Sequence, residues 1–336
     1  MTYITHDLYK DILFRMDIKL KLIIQIPCFN EAETLAIALA ELPRHVDGFD
    51  KTEWLIIDDG SNDKTVEVAK ACGVKHIVKH THNQGLAKAF MTGLDACLKA
   101  GADVIVNTDA DNQYNAADIP NLVQPILSGS AELVIGERPI HTIQHFSPVK
   151  KFLQKLGSTV VRMASKTNIP DAPSGFRAIT RNAAQRLVVF SAYTYTLETI
   201  IQAGQQNIAI ASIPVSVNED LRPSRLVKSI ASYVKRSIAT IFRIFIIYRP
   251  FRFFGTVGSI IFSIGFIIGI RFLYFYISGN GGGHIQSLIL AAVLLGMGFQ
   301  TILIAFVADL LAANRKLLED IRYKTNVQFY KKKNDE

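Results

Sequence analysis

VIVNTDADNQ, Val104 to Gln113, is the stretch from which the rest of the chain can be read. Its apolar, β-branched beginning is bounded by Gly101 on one side and by polar residues on the other, the pattern of a short buried strand. Such a strand delivers Asp109, Asp111 and Gln113 to its carboxyl end, three oxygen donors leaving the sheet together. Two carboxylates this close repel each other unless a cation or a proton relieves them. Oxygen-only donors suit a hard divalent ion, Mg²⁺ or Mn²⁺, that keeps positions open for substrate phosphates. The same three residues also suit a strand cap and turn, because Asp and Asn are frequent turn formers.

Outward from this strand the chain alternates. Leu22 to Pro27 reads as a strand, Glu31 to Leu42 as a helix, Trp54 to Asp58 as a strand, and Thr65 to Cys72 as a helix with Gly73 just beyond it. His76 to Lys79 follows as a short strand and Gly85 to Lys99 as a helix; after Val104 come a helix near Ala117 to Leu127 and a strand at Leu133 to Gly136. Strands alternating with helices predict an α/β fold with a mainly parallel, doubly wound sheet, whose ligands bind outside the carboxyl ends of the strands. Pro27, Asp58, Asp59 and Asp109 all fall at such ends.

Three segments are thereby expected in one crevice. CFNEAETL contributes Asn30 and Glu31, and Asp58 and Asp59 leave the second strand through Gly60 and Ser61, a turn whose backbone donors suit a nucleotide. Helix capping accounts for Ser61 or Asn62; it accounts less well for two consecutive acids directly after WLII. HNQGLAKAF offers Gly85, where backbone can approach a phosphate, and Lys88, which either supplies positive charge to it or lies on a solvated helix face.

Composition narrows the alternatives. Of 336 residues 49% are hydrophobic and 20% charged, and a mean hydropathy of +0.22 with that charge content means that the apolar residues are segregated. The three cysteines, Cys28, Cys72 and Cys97, are odd in number and form no CxxC, so they predict core thiols in a reducing compartment instead of disulfides or a zinc knuckle. Residues 1–19 lack a continuous apolar core and a small-residue cleavage site, and read as an amphipathic arm, not a secretory signal. A net charge of +8 suits nucleic acid or an anionic membrane surface, and the placement of the basic residues decides between them.

That placement favours the membrane. Leu226 to Tyr248 mixes Lys228, Lys235, Arg236 and Arg243 with Ile, Val, Phe and Tyr, as interfacial helices do. Phe253 to Ile277 and Ser287 to Ala308 are each long enough to cross about 30 Å of hydrocarbon, and the SGNGGGH between them has no Lys or Arg. Arg249 and Arg252 before the pair, and Arg315, Lys316 and Lys331 to Lys333 after it, predict an integral membrane protein with both termini and the α/β domain cytoplasmic. Arg271, near the far end of the first span, is expected to snorkel. The expected order is an arm at 1–19, an α/β domain at 20–223, juxtamembrane helices at 224–252, a helix hairpin at 253–310 and a basic tail at 311–336. Gly255, Gly258, Gly265, Gly269, Gly296 and Gly298 suit packing within one chain or in a homo-oligomer. Nucleic acid is not expected as a partner, because no base-reading motif accompanies the basic residues.

IPCFNEAETL, IIDDGSNDKT, HNQGLAKAFMTGL, TDADNQ and DAPSGFRAI, in this order and at this spacing, resemble the GT-A glycosyltransferases of family 2. More narrowly, over residues 20–225, they look like the polyprenyl-phosphate sugar transferases. The resemblance implies a GT-A catalytic domain that takes a UDP- or GDP-sugar and passes the sugar, with inversion, to a polyprenyl phosphate. It implies a sugar-nucleotide site of Pro27, Phe29, Asn30, Glu31, Asp58, Asp59, Gly85, Lys88 and Ala110, and a metal held by Asp109, Asp111 and Gln113. Phe29 stands where the family commonly has Tyr, which leaves a stacking surface without the hydroxyl. Arg138, Ser174, Arg177, Arg222 and Arg225 are the expected acceptor-phosphate residues, and Asp109, Asp111 and Arg138 the expected catalytic ones. A phosphate monoester is already ionised at neutral pH, so no protein base need activate it. A same-fold transferase to a hydroxyl would need a base, for which Glu198 is the nearest candidate, and a non-catalytic sugar-nucleotide binder is the third reading. The chain has no QxxRW motif and its only tryptophan is Trp54, which disfavours a processive synthase.

Overall fold

β1 (Lys21–Cys28) is apolar on both faces and buried along nearly its whole length, as the centre of a parallel sheet covered on both sides must be. The computed structural model describes residues 19–139, 169–189, 195–218 and 246–335, with a few isolated positions between 159 and 243. Around β1 the sheet is built from β2 (Lys51–Asp58), β3 (His76–Lys79), β4 (Val104–Asn107), β5 (Leu133–Glu137), β6 (Arg177–Thr180) and β7 (Ile210–Pro214), in the order β3-β2-β1-β4-β6-β5-β7. The β1–β2, β1–β4, β2–β3 and β5–β7 pairs are parallel. β6 is antiparallel to both β4 and β5, lying between them. Sequence alternation places neither β6 nor β7. A four-residue strand that starts on the arginine of DAPSGFRAI carries too little periodicity to announce itself.

The helices are α1 (Leu35–Glu41), α2 (Thr65–Ala71), α3 (Leu86–Lys99), α4 (Ile119–Leu127), α5 (Arg181–Arg186) and α6 (Thr196–Gln205). α1 starts four residues later than the sequence pattern suggests, because Glu31 to Thr34 form a turn in which Glu31 O accepts from Thr34 and Leu35 N–H. α3 buries Ala87, Phe90, Gly93, Leu94, Cys97 and Leu98, a stripe of helical period laid on the sheet. Gly93 permits that contact: a Cβ there would lie 2.5 Å from Gln25 Oε1 and 2.7 Å from Ile57 Cδ1. Gln25 is fully buried in mid-strand, and its Nε2 donates to Asn107 Oδ1 at 2.9 Å, which ties β1 to the end of β4.

The chain divides into two compact units, one of residues 1–237 and 322–336, the other of residues 238–321. The second contains α7 (Pro250–Ile277), a turn at Gly281–His284, and the start of α8 (Ile285–Asp335). Both helices are long and apolar enough to cross a membrane, with mean hydropathy of 2.1 and 2.3 in windows only 11% and 17% buried, which sets them apart from core helices. Gly258, Gly265 and Gly298 line the seam: a Cβ at Gly298 would meet Phe262 N at 2.5 Å, and one at Gly265 would meet Leu294 Cβ at 2.9 Å. Ser278 and Thr301 donate their hydroxyls to the carbonyls four residues back, so neither leaves an unpaired O–H on these apolar helices.

Residues from Arg322 onward are not a free basic tail. They continue α8 and belong to the first unit, where Tyr323, Asn326 and Tyr330, at i, i+3 and i+7, form one face. Tyr323 Oη donates to Asn182 Oδ1 at 2.9 Å, Asn326 Nδ2 donates to Gln185 O at 3.1 Å, and Tyr330 Oη donates to Asp95.

Candidate active site

The loops after β1 and β2 are sewn together. Asn30, in the left-handed region at φ 55°, donates its N–H to Ser61 Oγ at 2.9 Å and accepts from Asn62 N–H through Oδ1 at 2.9 Å. Glu31 N–H donates to Thr65 Oγ1 and Ala32 N–H to Asp63 Oδ2. Asp63 also accepts from Thr65 N–H, so it closes the turn that the sequence assigns to Ser61 or Asn62. Phe29 stands beside them 38% exposed, and Pro27 is buried at the end of β1. Asp58 is fully buried: Oδ1 accepts from Ser61 N–H, and Oδ2 has no hydrogen-bond partner, only Lys79 Nζ at 3.8 Å.

Asp59 and Gly85, both expected to face the nucleotide, bind each other instead. Asp59 Oδ2 accepts from Gly85 N–H at 2.8 Å, and Oδ1 accepts from Gln84 N–H at 2.9 Å. At 3% exposure Asp59 lies behind the loop and shapes it. Gly60, at φ +76°, has to be glycine, because a Cβ would sit 2.5 Å from the His82 carbonyl carbon. Lys88 is exposed on the first turn of α3.

β4 ends at Asn107, whose Nδ2 donates to Gly175 O at 2.9 Å and to Tyr195 Oη at 3.0 Å. Asp109, Ala110 and Asp111 follow, with Asp111 Oδ1 accepting from Gln113 N–H at 3.1 Å and Asn112 in the left-handed region at φ 58°. Burial, and then the negative charge of Asp111, push the Asp109 carboxyl up to about 7, even though part of its surface still meets solvent. Gly175 backs this carboxylate: a Cβ there would meet Asp109 Oδ2 at 3.2 Å and Tyr195 Oη at 2.9 Å.

Among the described residues no three His, Cys, Asp or Glu side chains form a closed metal cage. The set here is a half-site of two carboxylates and the nearby Gln113. It fits a hard divalent cation whose shell is completed by substrate oxygens, since the Asp109 and Asp111 charges oppose each other without such relief.

Arg138, just past β5, is held by Asp171 through two side-chain bonds, Nε to Oδ2 at 2.8 Å and Nη2 to Oδ1 at 3.0 Å. Burial opposes its charge, but the Tyr114 hydroxyl group and the hydrogen-bonded Asp171 carboxylate, with Asp109 beyond them, outweigh that and hold the guanidinium charged. Arg177 differs from its expectation. It is fully buried and donates to Ser174 O, Ala172 O and Thr199 Oγ1, so it braces the DAPSGF turn from beneath. Burial pulls its guanidinium down to about 10, which leaves it charged at neutral pH. Ser174 is fully buried with its Oγ unpartnered, and Glu198 on α6 is 7% exposed. Arg222 and Arg225 lie outside the described residues. The described chain stops short of them at Asn218, whose N–H donates to Gln113 O at 2.9 Å and whose Nδ2 donates to Asn112 O at 3.0 Å.

Sequence reading missed His80, Tyr114, Asn107 and Tyr195. His80 had a signal, since it follows β3 directly at a strand's carboxyl end. Tyr195, stacked on Phe90 at 3.9 Å, had none.

A sheet of this order, with loops gathered at its strand ends around a paired-acid turn, is the GT-A fold of nucleotide-sugar transferases. Residues 23–188 match the family model "Glycosyl transferase family 2", and the chain carries a glycosyltransferase domain of that family. It is 29% identical over 212 residues, 56% of this chain and 82% of the relative, to the UDP-N-acetylglucosamine–dolichyl-phosphate N-acetylglucosaminyltransferase of Methanococcus voltae. It is 26% identical over 212 residues, 60% of this chain and 85% of the relative, to the undecaprenyl-phosphate mannosyltransferase of Micrococcus luteus. Glucosyl-3-phosphoglycerate synthase from Mycobacterium tuberculosis, solved with Mn²⁺, UDP and glucosyl-3-phosphoglycerate, superposes with a TM-score of 0.52 at 19% identity, over 68% of this chain and 79% of that one.

Proposed function

We propose that this glycosyltransferase moves a sugar from a nucleoside-diphosphate sugar, UDP- or GDP-linked, to a polyprenyl phosphate at the cytoplasmic face of a membrane. The observation that carries this reading is the position of Arg138: its buried guanidinium sits close enough to Asp109 to feel its charge, where an acceptor phosphate would need a cation beside the departing diphosphate. The two relatives named above act on dolichyl and undecaprenyl phosphates, and two membrane-length apolar helices suit such an acceptor.

Asp109 and Asp111, with Gln113, would hold Mg²⁺ or Mn²⁺, which supplies neutralisation of the charge gathering on the leaving diphosphate. Phe29, Asn30 and Glu31 would take the nucleoside, with Asp58, Pro27 and Ala110 buried behind them shaping the wall and Lys88 near the diphosphate. An ionised acceptor oxygen attacks the anomeric carbon, the new C–O bond forms as the bond to the diphosphate oxygen breaks, and the electron pair leaves with the nucleotide. This single displacement inverts the anomeric centre. Arg222 and Arg225, four and seven residues beyond Asn218 in the sequence and outside the described residues, are the further candidates for the same acceptor phosphate. Glu198, buried on α6, is poorly placed to serve a hydroxyl acceptor as base.

The test is nucleoside diphosphate release by the detergent-solubilised full chain, with a panel of UDP- and GDP-sugars, Mg²⁺ or Mn²⁺, and with or without undecaprenyl phosphate. Release that requires both lipid and metal is the expected result. Release into hydroxyl acceptors alone, or nucleotide binding without release for any donor, overturns it.

A further inference from the structure

We infer that His80 is a positioning residue that sets the donor-binding end of α3, a role that rests on the reading of these strand ends as the donor site. His80 is the first residue after β3, and its N–H donates to Asp58 O at 2.8 Å. Its ring is 8% exposed and bridges two elements: Nδ1 lies 2.7 Å from Asp59 Oδ1 and Nε2 lies 3.0 Å from Thr92 Oγ1 on α3. The Asp59 carboxylate accepts, so Nδ1 carries a proton, and Nε2 pairs with the Thr92 hydroxyl, which can donate or accept. The result is a chain running from Thr92 through His80 to Asp59.

Asp59 in turn grips the amides of Gln84 and Gly85, and Gly85, at φ +90°, is the residue from which α3 departs. His80 therefore fixes the start of α3 at two points, through Asp59 at the loop and through Thr92 on the second turn of the helix. Lys88 projects from the turn between them. Neither buried group has access to a nucleotide: His80 is 8% exposed, Asp59 is 3% exposed, and both oxygens of Asp59 are engaged. The cluster acts through the loop it holds. A ring whose two nitrogens reach both partners at this spacing is needed, and a residue that engages only one of them lets the loop or the helix shift by a fraction of an ångström.

The experiment compares His80→Gln, Thr92→Val, Thr92→Ser and Lys88→Ala in the full chain. Read-outs are the Kd of UDP and of GDP by calorimetry, donor KM, kcat at saturating donor, and Tm. Expected is a rise of about tenfold in nucleotide Kd and donor KM for His80→Gln and about threefold for Thr92→Val, with kcat within about twofold and Thr92→Ser close to the parent. If Lys88→Ala raises donor KM while His80→Gln and Thr92→Val lower only Tm, His80 is merely structural and the inference falls alone. If neither nucleotide binds the parent protein, and Lys88→Ala leaves donor KM unchanged, the donor-site reading fails and takes the inference with it.

Discussion

The Asp171 carboxylate grips Arg138 from the side, accepting from its backbone N–H at 3.2 Å as well as from Nε and Nη2. Asp171 is fully buried and the Arg138 side chain 9% exposed, so removing either partner strands a charge with little water to solvate it. Asp171→Asn keeps the shape but loses one charge-assisted bond and the fixed guanidinium plane. The expected outcome is a fall of about 10- to 100-fold in kcat/KM for the polyprenyl phosphate, with nucleotide Kd changed less than about threefold. Parallel loss of acceptor use and nucleotide binding, measured in the same preparation, would show that the pair holds the fold and not the acceptor.

Asp111 presents a different case. Its charge is one of the two largest reasons the Asp109 carboxyl is pushed upward. Asp111→Asn removes that repulsion together with one anionic oxygen for the cation. Turnover is expected to fall by at least about 100-fold and the half-saturating Mn²⁺ concentration to rise, with Tm unchanged or higher. Undiminished activity across a metal titration would remove Asp111 from the metal site.

Glu53 at the opposite, amino-terminal end of the sheet tests stability. Burial would raise its carboxyl, but hydrogen bonds from Lys21, His76 and Lys75 outweigh that and hold it at about 2 against an ordinary 4.5. A folded pKa below the unfolded one stabilises above the unfolded value, and that contribution is lost as pH falls through about 2. Lys75 is 72% exposed, so solvent screening cuts the benefit, and Glu53→Gln should cost about 1–3 kcal/mol at pH 7 and progressively less below pH 4.5. Trp54, the only tryptophan and the adjacent residue, reports the transition by its fluorescence. Equal destabilisation at pH 3 and pH 7 would contradict the linkage.

The last turns of α8 offer a fourth handle. Tyr330 is 5% exposed and its hydroxyl donates to Asp95. Tyr330→Ala should undock residues 322–335 and raise their amide exchange by about 100-fold, while Tyr330→Phe, which loses only the hydroxyl, should raise it by about tenfold or less. Unchanged exchange in both variants would mean that Tyr323 and Asn326 suffice.

How far the sequence could be read depends on range. β1, β2, β4 and the helices between them were legible because each carries its own period, and parallel strands buried on both faces are nearly continuous apolar runs. β6 was not, since its place between β4 and β5 is set by pairing across some seventy residues, Val104 with Thr180 for example. Asp58, Asp59 and Asp109 were legible as residues at strand ends. Sequence adjacency could not separate Asp58, with an oxygen left over, from Asp59, turned inward to Gly85. Arg177 misleads for the same reason: a buried arginine satisfied by two carbonyls and a hydroxyl looks, in sequence, like any other arginine in a phosphate-binding stretch.

Within the hairpin, Gly298 and Gly296 are two residues apart and face opposite demands. A Cβ at Gly298 would meet Phe262 N at 2.5 Å and Phe262 Cα at 2.7 Å, backbone that cannot swing aside, whereas one at Gly296 would meet nothing within 4 Å. In the membrane setting proposed above, lipid would offer no hydrophobic drive to hold α7 against α8, so close packing at the glycine seam would carry the association. Gly298→Val should therefore separate the helices and reduce the protein recovered from membranes by several-fold. Gly296→Val should leave recovery unchanged if that face meets lipid. A change in oligomeric mass for Gly296→Val alone, measured by light scattering in detergent, would instead assign the Gly296 face to contact between copies of the chain. Full recovery of Gly298→Val would show that the seam tolerates a wider spacing than 2.5 Å allows.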